Sequence, residues 1–344
     1  MTARTVSTPT SPFTRAAHVE DVTRRGLMVG ALATALFVAC GDDRNEDAPP
    51  TASTRTITTK YGTYDIPTDP QRIVLMENRV ELETAAALGL SPIAIGKFFS
   101  FTGGHHEFVA PWVPFTVSNE QFFDTFETDI EAMLQLRPDL IVSGTTWLDR
   151  DDPSARSYSA LRAVAPVVPI NVDLPWREAL QEVAGWLGRE DRLAETLREF
   201  DALRDGIKQK HASRIQHARV AYGSYESPNL FLRDFDEAKG PATKALSELG
   251  GHLLPLSVPV DPRFQGNRPI SMENLRVLEE ADAILIWAPD PVQRAEFMGN
   301  PLWPLLPAVR AGRAVVAPQN VGAGFLYTIM ECLRLWDQVY ATLA

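Results

Sequence analysis

The chain has 344 residues, room for one large or two medium domains, and its 45% hydrophobic content can fill real cores, which excludes wholesale disorder. A formal charge of −11 repels nucleic acid and anionic lipid surfaces, so neither is expected as a partner. The two cysteines, Cys40 and Cys332, are too few and too far apart for a disulfide framework or a CxxC metal or redox motif.

The first element is "TRRGLMVGALATALFVAC", Thr23 to Cys40. Its apolar run from Gly26 to Ala39 falls short of the roughly 20 residues that span hydrocarbon, so residues 1–39 read as a secretion leader and not a membrane helix. The paired arginines resemble a twin-arginine export signal, with Leu27 where Phe is commoner, and "LFVAC" resembles a bacterial lipobox, with Phe37 where Leu is usual. That resemblance implies cleavage before Cys40 and acyl chains on its sulfur, each buried methylene contributing about 0.8 kcal/mol of membrane affinity. An ordinary signal peptide with an incidental cysteine is the alternative. After it, "GDDRNEDAPPTASTRTITT" carries almost no large apolar residue, so residues 40–59 are expected to be a flexible tether, with the folded body starting near Lys60.

Along that body, short β-branched runs alternate with helix-like stretches. "RIVLM" from Arg72, "SPIAIGK" from Ser91, "PDLIVSG" from Pro138 and "APVVPI" from Ala165 are bounded by Gly, Pro or charge, with "VELETAAALG" and "DIEAMLQLR" between them. Such alternation predicts a parallel sheet with helices on both faces, here a first lobe over residues 60–173. Residues 174–213 then read as linking helices. Trp176, Leu180, Val183 and Leu187 step at helical spacing up to Gly188, and a second run carries Leu193, Leu197, Phe200, Leu203 and Ile207 as far as about His211. At 1.5 Å per residue its roughly 22 residues extend ~33 Å, the width of a small domain, which suits a strut between two lobes. The alternation returns over residues 214–344 with "ARVAYGSY", "NLFLR", "ADAILIW" and "GRAVVAP", and an amphipathic helix closes the chain from about Leu326 to Leu343. "DIEAMLQLRPDLIV" and "SMENLRVLEEADAILI" echo one another across the halves, so the two lobes follow one design.

The chain resembles the substrate-binding lipoproteins of ABC importers, in the cluster that binds ferric siderophores, heme and cobalamin. The residues that carry this include "YDIPTDPQRIVLM", "IEAMLQLRPDLIV", "GWLGREDRLAETL", "ALSELGGHLL", "ISMENLRVLEEADAILIW" and "NPLWPLLPAVRAGRAVVAP", in family order over nearly all of residues 60–344. The resemblance implies an α/β fold of two Rossmann-like lobes joined by a single long α-helix, with ligand in the cleft between them. It also implies delivery to an ABC permease and ATPase pair by a monomer held outside the membrane on a lipid anchor. The expected cargo is a ferric siderophore, with iron bound only as part of that ligand and no cofactor or direct metal site of the protein's own. A heme or cobalamin receptor is the alternative within the class, and a cell-envelope scaffold the alternative outside it.

Ligands of open α/β sheets bind beyond the carboxyl ends of the strands. The segments there supply Arg79 and Trp147 from the first lobe, and Tyr225, Arg233 and Trp287 from the second. Guanidinium forks suit the chelating oxygens of a ferric siderophore and aromatic faces suit its body. Trp147 and Trp287 could equally close the top of a lobe core, and arginine is abundant throughout. Arg263 and Arg268 are added because similar proteins place a ligand contact just before the "ISMEN" helix. The resemblance likewise implies that Glu131 and Glu273, one per lobe, dock onto permease arginines, although a glutamate in a first helical turn also favours the dipole and can join a cap with Thr128, Asp129 or Ser271. "GGHHE", with His105 and His106, lacks the partners of a metal site. The chain holds no GxSxG, HExxH, Walker loop or helix-opening GxGxxG, so it is not read as an enzyme, and Cys332 is read as a small core residue.

Overall fold

The computed structural model describes residues 53–97, 122–125, 129–149, 157–233, 240–258, 267–319 and 321–343. Cys40, Arg263, His105 and His106 lie outside them. The described chain opens with an antiparallel hairpin, β1 (Thr54–Thr59) and β2 (Gly62–Pro67). This corrects the expectation that the tether runs to residue 59. The register pairs Ile57 with Tyr64 and Arg55 with Ile66, so one face of a threonine-rich ribbon buries Ile57 and Ile66 while Thr54, Thr56 and Thr58 face outward. A period-two pattern with two isoleucines is enough when the partner strand covers it, and composition alone does not show that.

The first lobe follows as β3 (Ile73–Leu75), α1 (Val80–Leu88), β4 (Pro92–Lys97), β5 (Phe122–Asp124), α2 (Ile130–Leu136), β6 (Leu140–Gly144), α3 (Thr145–Leu148), α4 (Tyr158–Arg162) and β7 (Val167–Ile170). All five strands of its sheet are parallel, in the order β5-β4-β3-β6-β7. This is the doubly wound arrangement, with its switch point between β3 and β6. β3, β6 and β7 are buried along their whole length, as strands covered on both faces must be.

Two helices leave this lobe, α5 (Trp176–Leu187) and α6 (Glu190–His217). α6 is the predicted strut, and at 28 residues it runs past the expected end near His211, where the backbone departs from helical geometry before the helix resumes. Arg55 of the hairpin donates to the carbonyls of Gly185 (2.9 Å) and Trp186 (3.3 Å), clamping the carboxyl end of α5.

The second lobe contains β8 (Arg219–Glu226), β9 (Asn229–Arg233), α7 (Pro241–Leu249), β10 (His252–Leu253), β11 (Arg268–Ser271), a 3-10 helix (Met272–Leu278), β12 (Ala283–Trp287), α8 (Pro291–Met298), α9 (Pro307–Arg310), β13 (Ala314–Ala317) and α10 (Leu326–Ala341). Its sheet has the order β11-β9-β8-β12-β13, with β10 beside β8 and β9 antiparallel to both neighbours. The internal echo is real in space. β6 pairs with the first parallel strand of its lobe, β3, and β12 with its counterpart, β8, each preceded by the echoed helical turn.

Among the described residues three apolar layers hold this together. One lies on the outer face of each sheet. The third is continuous from Ile57 through Phe200 of the strut to Tyr340, so α1, α5, α6, α7 and α10 pack as one core shared by both lobes.

Candidate ligand-binding site

At the first lobe's switch point the chain leaves β3 as Met76, Glu77, Asn78 and Arg79, then enters α1. The Thr125 hydroxyl donates to the Met76 carbonyl at 3.0 Å, fixing the exit of the strand. Glu77 is buried and receives the Arg79 fork through Nε (3.1 Å) and Nη2 (2.7 Å). Arg79 therefore stands at the expected strand end, but its charge is balanced from within. Across the switch point, Oε1 of the fully buried Glu81 accepts the Gly144 backbone N–H at 2.7 Å, while Oε2 has no hydrogen-bond partner among the described residues. Burial, and then the charge of Glu77, push the Glu81 carboxyl well above the usual glutamate range.

Two residues further along α1, Glu83 crosses to the other lobe. Its Oε2 accepts the backbone N–H groups of Tyr327 (2.7 Å) and Thr328 (3.0 Å), and the Thr328 hydroxyl donates to Oε1. The two N–H groups lie in the first turn of α10, ahead of the reach of intrahelical bonds, and the helix's own N-cap, Phe325, offers no side-chain cap. The first lobe thus caps the last helix of the second. Gly324 permits the approach: its φ of 152° favours glycine, and a Cβ there would collide with Glu83 and Thr328.

In the second lobe Trp287 ends β12 with its indole N–H donating to the Gln319 carbonyl at 2.8 Å and its ring against Gly322, where a Cβ would overlap it. Trp287 is only 8% exposed, so it forms the closing layer of the core at the strand end. Arg233 lies at the end of β9, its guanidinium 5.9 Å from the centre of the Tyr222 ring and against the backbone of Gly240, which opens α7. Tyr225 is placed elsewhere. Its ring packs on Phe297 of α8 (5.1 Å between centres) and its hydroxyl donates to Glu296 at 2.9 Å, within the outer layer of the lobe. Arg268 sits on the edge strand β11 and donates to the Val258 carbonyl. The backbone of Trp147 lies in α3, directly beyond β6.

Glu248 of α7 ties the second lobe to the linking helices, accepting the Trp176 indole N–H at 3.2 Å and pairing with Arg177 (3.6 Å) and Arg204 (3.5 Å). Glu131 and Glu273 are exposed, one at the start of α2 and the other at the start of the echoed 3-10 helix. Asp129 caps α2 by accepting from the backbone of Glu131 (2.8 Å) and Ala132 (3.3 Å), whereas Ser271 makes no cap. Cys332 is buried in α10, as expected of a core residue. Among the described residues no group of three or more His, Cys, Asp or Glu side chains could hold a metal ion, and no helix is long and apolar enough to cross a membrane.

The chain is thus a two-lobed α/β protein whose lobes meet along a shared layer of helices, with Glu83 of the first lobe reaching the start of α10 in the second. A model of the periplasmic binding protein family matches residues 124–321, and the chain belongs to that family, one of binding proteins and not of enzymes. No curated protein sequence matches. Among solved structures, the periplasmic catecholate-siderophore binding protein VctP of Vibrio cholerae is similar at 19% identity, covering 84% of this chain and 99% of that one, with a TM-score of 0.60. SirA of Staphylococcus aureus, solved with staphyloferrin B, is similar at 19% identity over 84% of this chain and 98% of its own, with a TM-score of 0.60. A periplasmic solute binding protein of Mycobacterium smegmatis shares 18% identity over 85% and 99%, with a TM-score of 0.63. At these identities the likeness shows the fold.

Sequence reasoning missed Glu81, Glu83 and Lys244 of α7. Charged residues are expected in solvent, so nothing in "VELET" or "PATKAL" marks Glu81 and Glu83 as buried or Lys244 as half-buried. Their signal is position alone: each falls in the first turn of a helix in the layer the two lobes share.

Proposed function

We propose that this protein is the extracytoplasmic receptor of an ABC importer that captures a ferric siderophore between its lobes and delivers it to a permease and ATPase pair. The observation that carries the reading is the architecture: two α/β lobes share one joint, and the same fold, over almost the whole of their chains, belongs to the catecholate-siderophore binding protein VctP and to SirA, solved with staphyloferrin B. Iron enters as part of the cargo, so no cofactor of the protein's own is needed. No bond is made or broken, since recognition requires only a shaped cleft with a few polar anchors. Arg79, Trp147, Arg233 and Trp287 stand at or near strand ends and are the proposed ligand side, joined by Arg263 and Arg268. Tyr225 supports the lobe beneath them.

Glu131 and Glu273 are exposed at equivalent starts in the two lobes, which suits a pair of acidic contacts for permease arginines. The leader, the lipidated Cys40 and a monomeric state complete the proposal. Titration of the full chain, in mild detergent, with ferric catecholates, ferric hydroxamates, ferric carboxylates, heme and cobalamin is expected to show saturable, sub-micromolar quenching of tryptophan fluorescence by one siderophore class. Binding of heme or cobalamin instead reassigns the cargo, and silence across the panel overturns the transport reading.

A further inference from the structure

Strand β6 of the first lobe runs into a helical turn too short to hold itself. α3 has four residues, and a helix of that length has no stability of its own, so its place must come from what it touches. Two anchors belong to the lobe: Leu148 is buried in the outer apolar layer, and the Thr145 hydroxyl accepts the backbone N–H of Val172 at 3.3 Å. The third comes from the start of the described chain. At the tip of the β1–β2 hairpin, Lys60 donates to one carboxylate oxygen of Asp149 and the Tyr61 hydroxyl to the other. Asp149 follows α3 directly and stands two residues beyond Trp147.

The tip is itself firmly placed. The Tyr61 ring lies flat on that of Tyr158, which opens α4, with 4.3 Å between centres and 12° between planes. Behind it the Tyr64 hydroxyl donates to the Val167 carbonyl at the start of β7, Ile57 and Ile66 are buried in the shared layer, and Arg55 holds the end of α5. The hairpin is therefore a post built onto the lobe, with both oxygens of Asp149 engaged at its end. Lys60 and Asp149 are each close to half exposed, and an exposed ion pair contributes little. Tyr61, half-buried and stacked, is the stronger hold, since a hydroxyl that donates to a carboxylate makes a charge-assisted bond.

We propose that Tyr61 and, to a lesser degree, Lys60 are positioning residues for ligand capture: through Asp149 the hairpin tip fixes the turn after β6 that carries Trp147. This rests on the siderophore reading above, in which Trp147 stands on the ligand side, and adds to the recognition machinery a segment that itself touches no ligand. A recognition group left loose by ~1 Å loses affinity while the fold persists.

The test uses the full chain in mild detergent. A ferric tris-catecholate, a ferric hydroxycarboxylate and a ferric trihydroxamate are titrated by calorimetry, and the chelate that the wild type binds most tightly is carried through. Tyr61→Phe keeps the stack and removes the hydroxyl, and Asp149→Asn removes the charge that both donors share. Each is expected to weaken binding by about 3- to 10-fold, and Lys60→Met by less, with melting temperatures within about 2 °C of the wild type. The Tyr61→Phe/Asp149→Asn double variant should bind no more weakly than Asp149→Asn alone. Because the hairpin acts through the turn that carries Trp147, Asp149→Asn should lose no further affinity in a Trp147→Ala or Trp147→Phe background, an outcome that a merely stabilising role would not produce. Unchanged affinity in Tyr61→Phe and Asp149→Asn, or an equal loss with and without Trp147, overturns the inference and leaves the transport reading standing. Failure of the wild type to bind any of the three chelates overturns both.

Discussion

Glu81 and Glu83 are two positions apart in α1, both buried, and they face different surroundings. Glu83 meets three donors from the opposite lobe; Glu81 meets one backbone N–H and the neighbouring charge of Glu77. The folded Glu81 carboxyl holds its proton to higher pH than the unfolded one, whose ordinary value is near 4.5. The folded state then binds more protons over the window that opens there, and stability is lost as pH rises through it. Glu81→Gln removes the titration: its melting temperature is expected to fall less than that of the wild type between about pH 5 and about pH 8, as read by thermal melts. An equal slope for the two proteins would contradict this. At this scale the sequence was only partly legible. Arg79, Arg233 and Trp287 stand at or near the strand ends expected of them, because a strand end can be read from its β-branched run. Which of those side chains already has a partner cannot be read that way, since Glu77 and Glu296 claim Arg79 and Tyr225 through contacts that exist only in the fold.

The elements themselves were far more legible. β9 and the start of α10 fall where the pattern puts them, because alternation and helical spacing are local properties. β1 was missed for the converse reason: its burial depends on β2 and on the α5 end that Arg55 clamps, neither of which composition announces. The strut is the element on which most depends. Phe200 is fully buried at its middle, with the Trp176 ring 4.8 Å away and the Arg177 guanidinium 4.7 Å from its own centre. Phe200→Ala removes a large side chain from a site ringed by α5 and α6, with little freedom to collapse. A loss of about 3–5 kcal/mol in chemical denaturation is expected, with the secondary structure intact in buffer. A loss under about 1 kcal/mol would show that the strut is held by its flanks instead.

For the whole molecule, the shared middle layer decides behaviour. Because one apolar cluster runs from the hairpin through the strut to the last helix, neither lobe has a private core on its inner face. Two lobes of this size could melt independently, yet here separation would expose the common layer of both. Thermal unfolding is expected to be a single transition, with far-UV circular dichroism and tryptophan fluorescence superimposing. Of the described tryptophans, Trp287, Trp303 and Trp336 lie in the second lobe and only Trp147 in the first, so an independent first lobe would pull the two curves apart. The sheet orders and the paired placement of β6 and β12 account for the internal echo, which the sequence carried in recognisable form. The carboxylate that Glu83 extends into α10 has a mechanical corollary. Prising the halves apart at that spot would strand three donors and an acid in a buried seam, so the spot behaves as a fulcrum, and whatever gape the protein has must be found in its outer jaws.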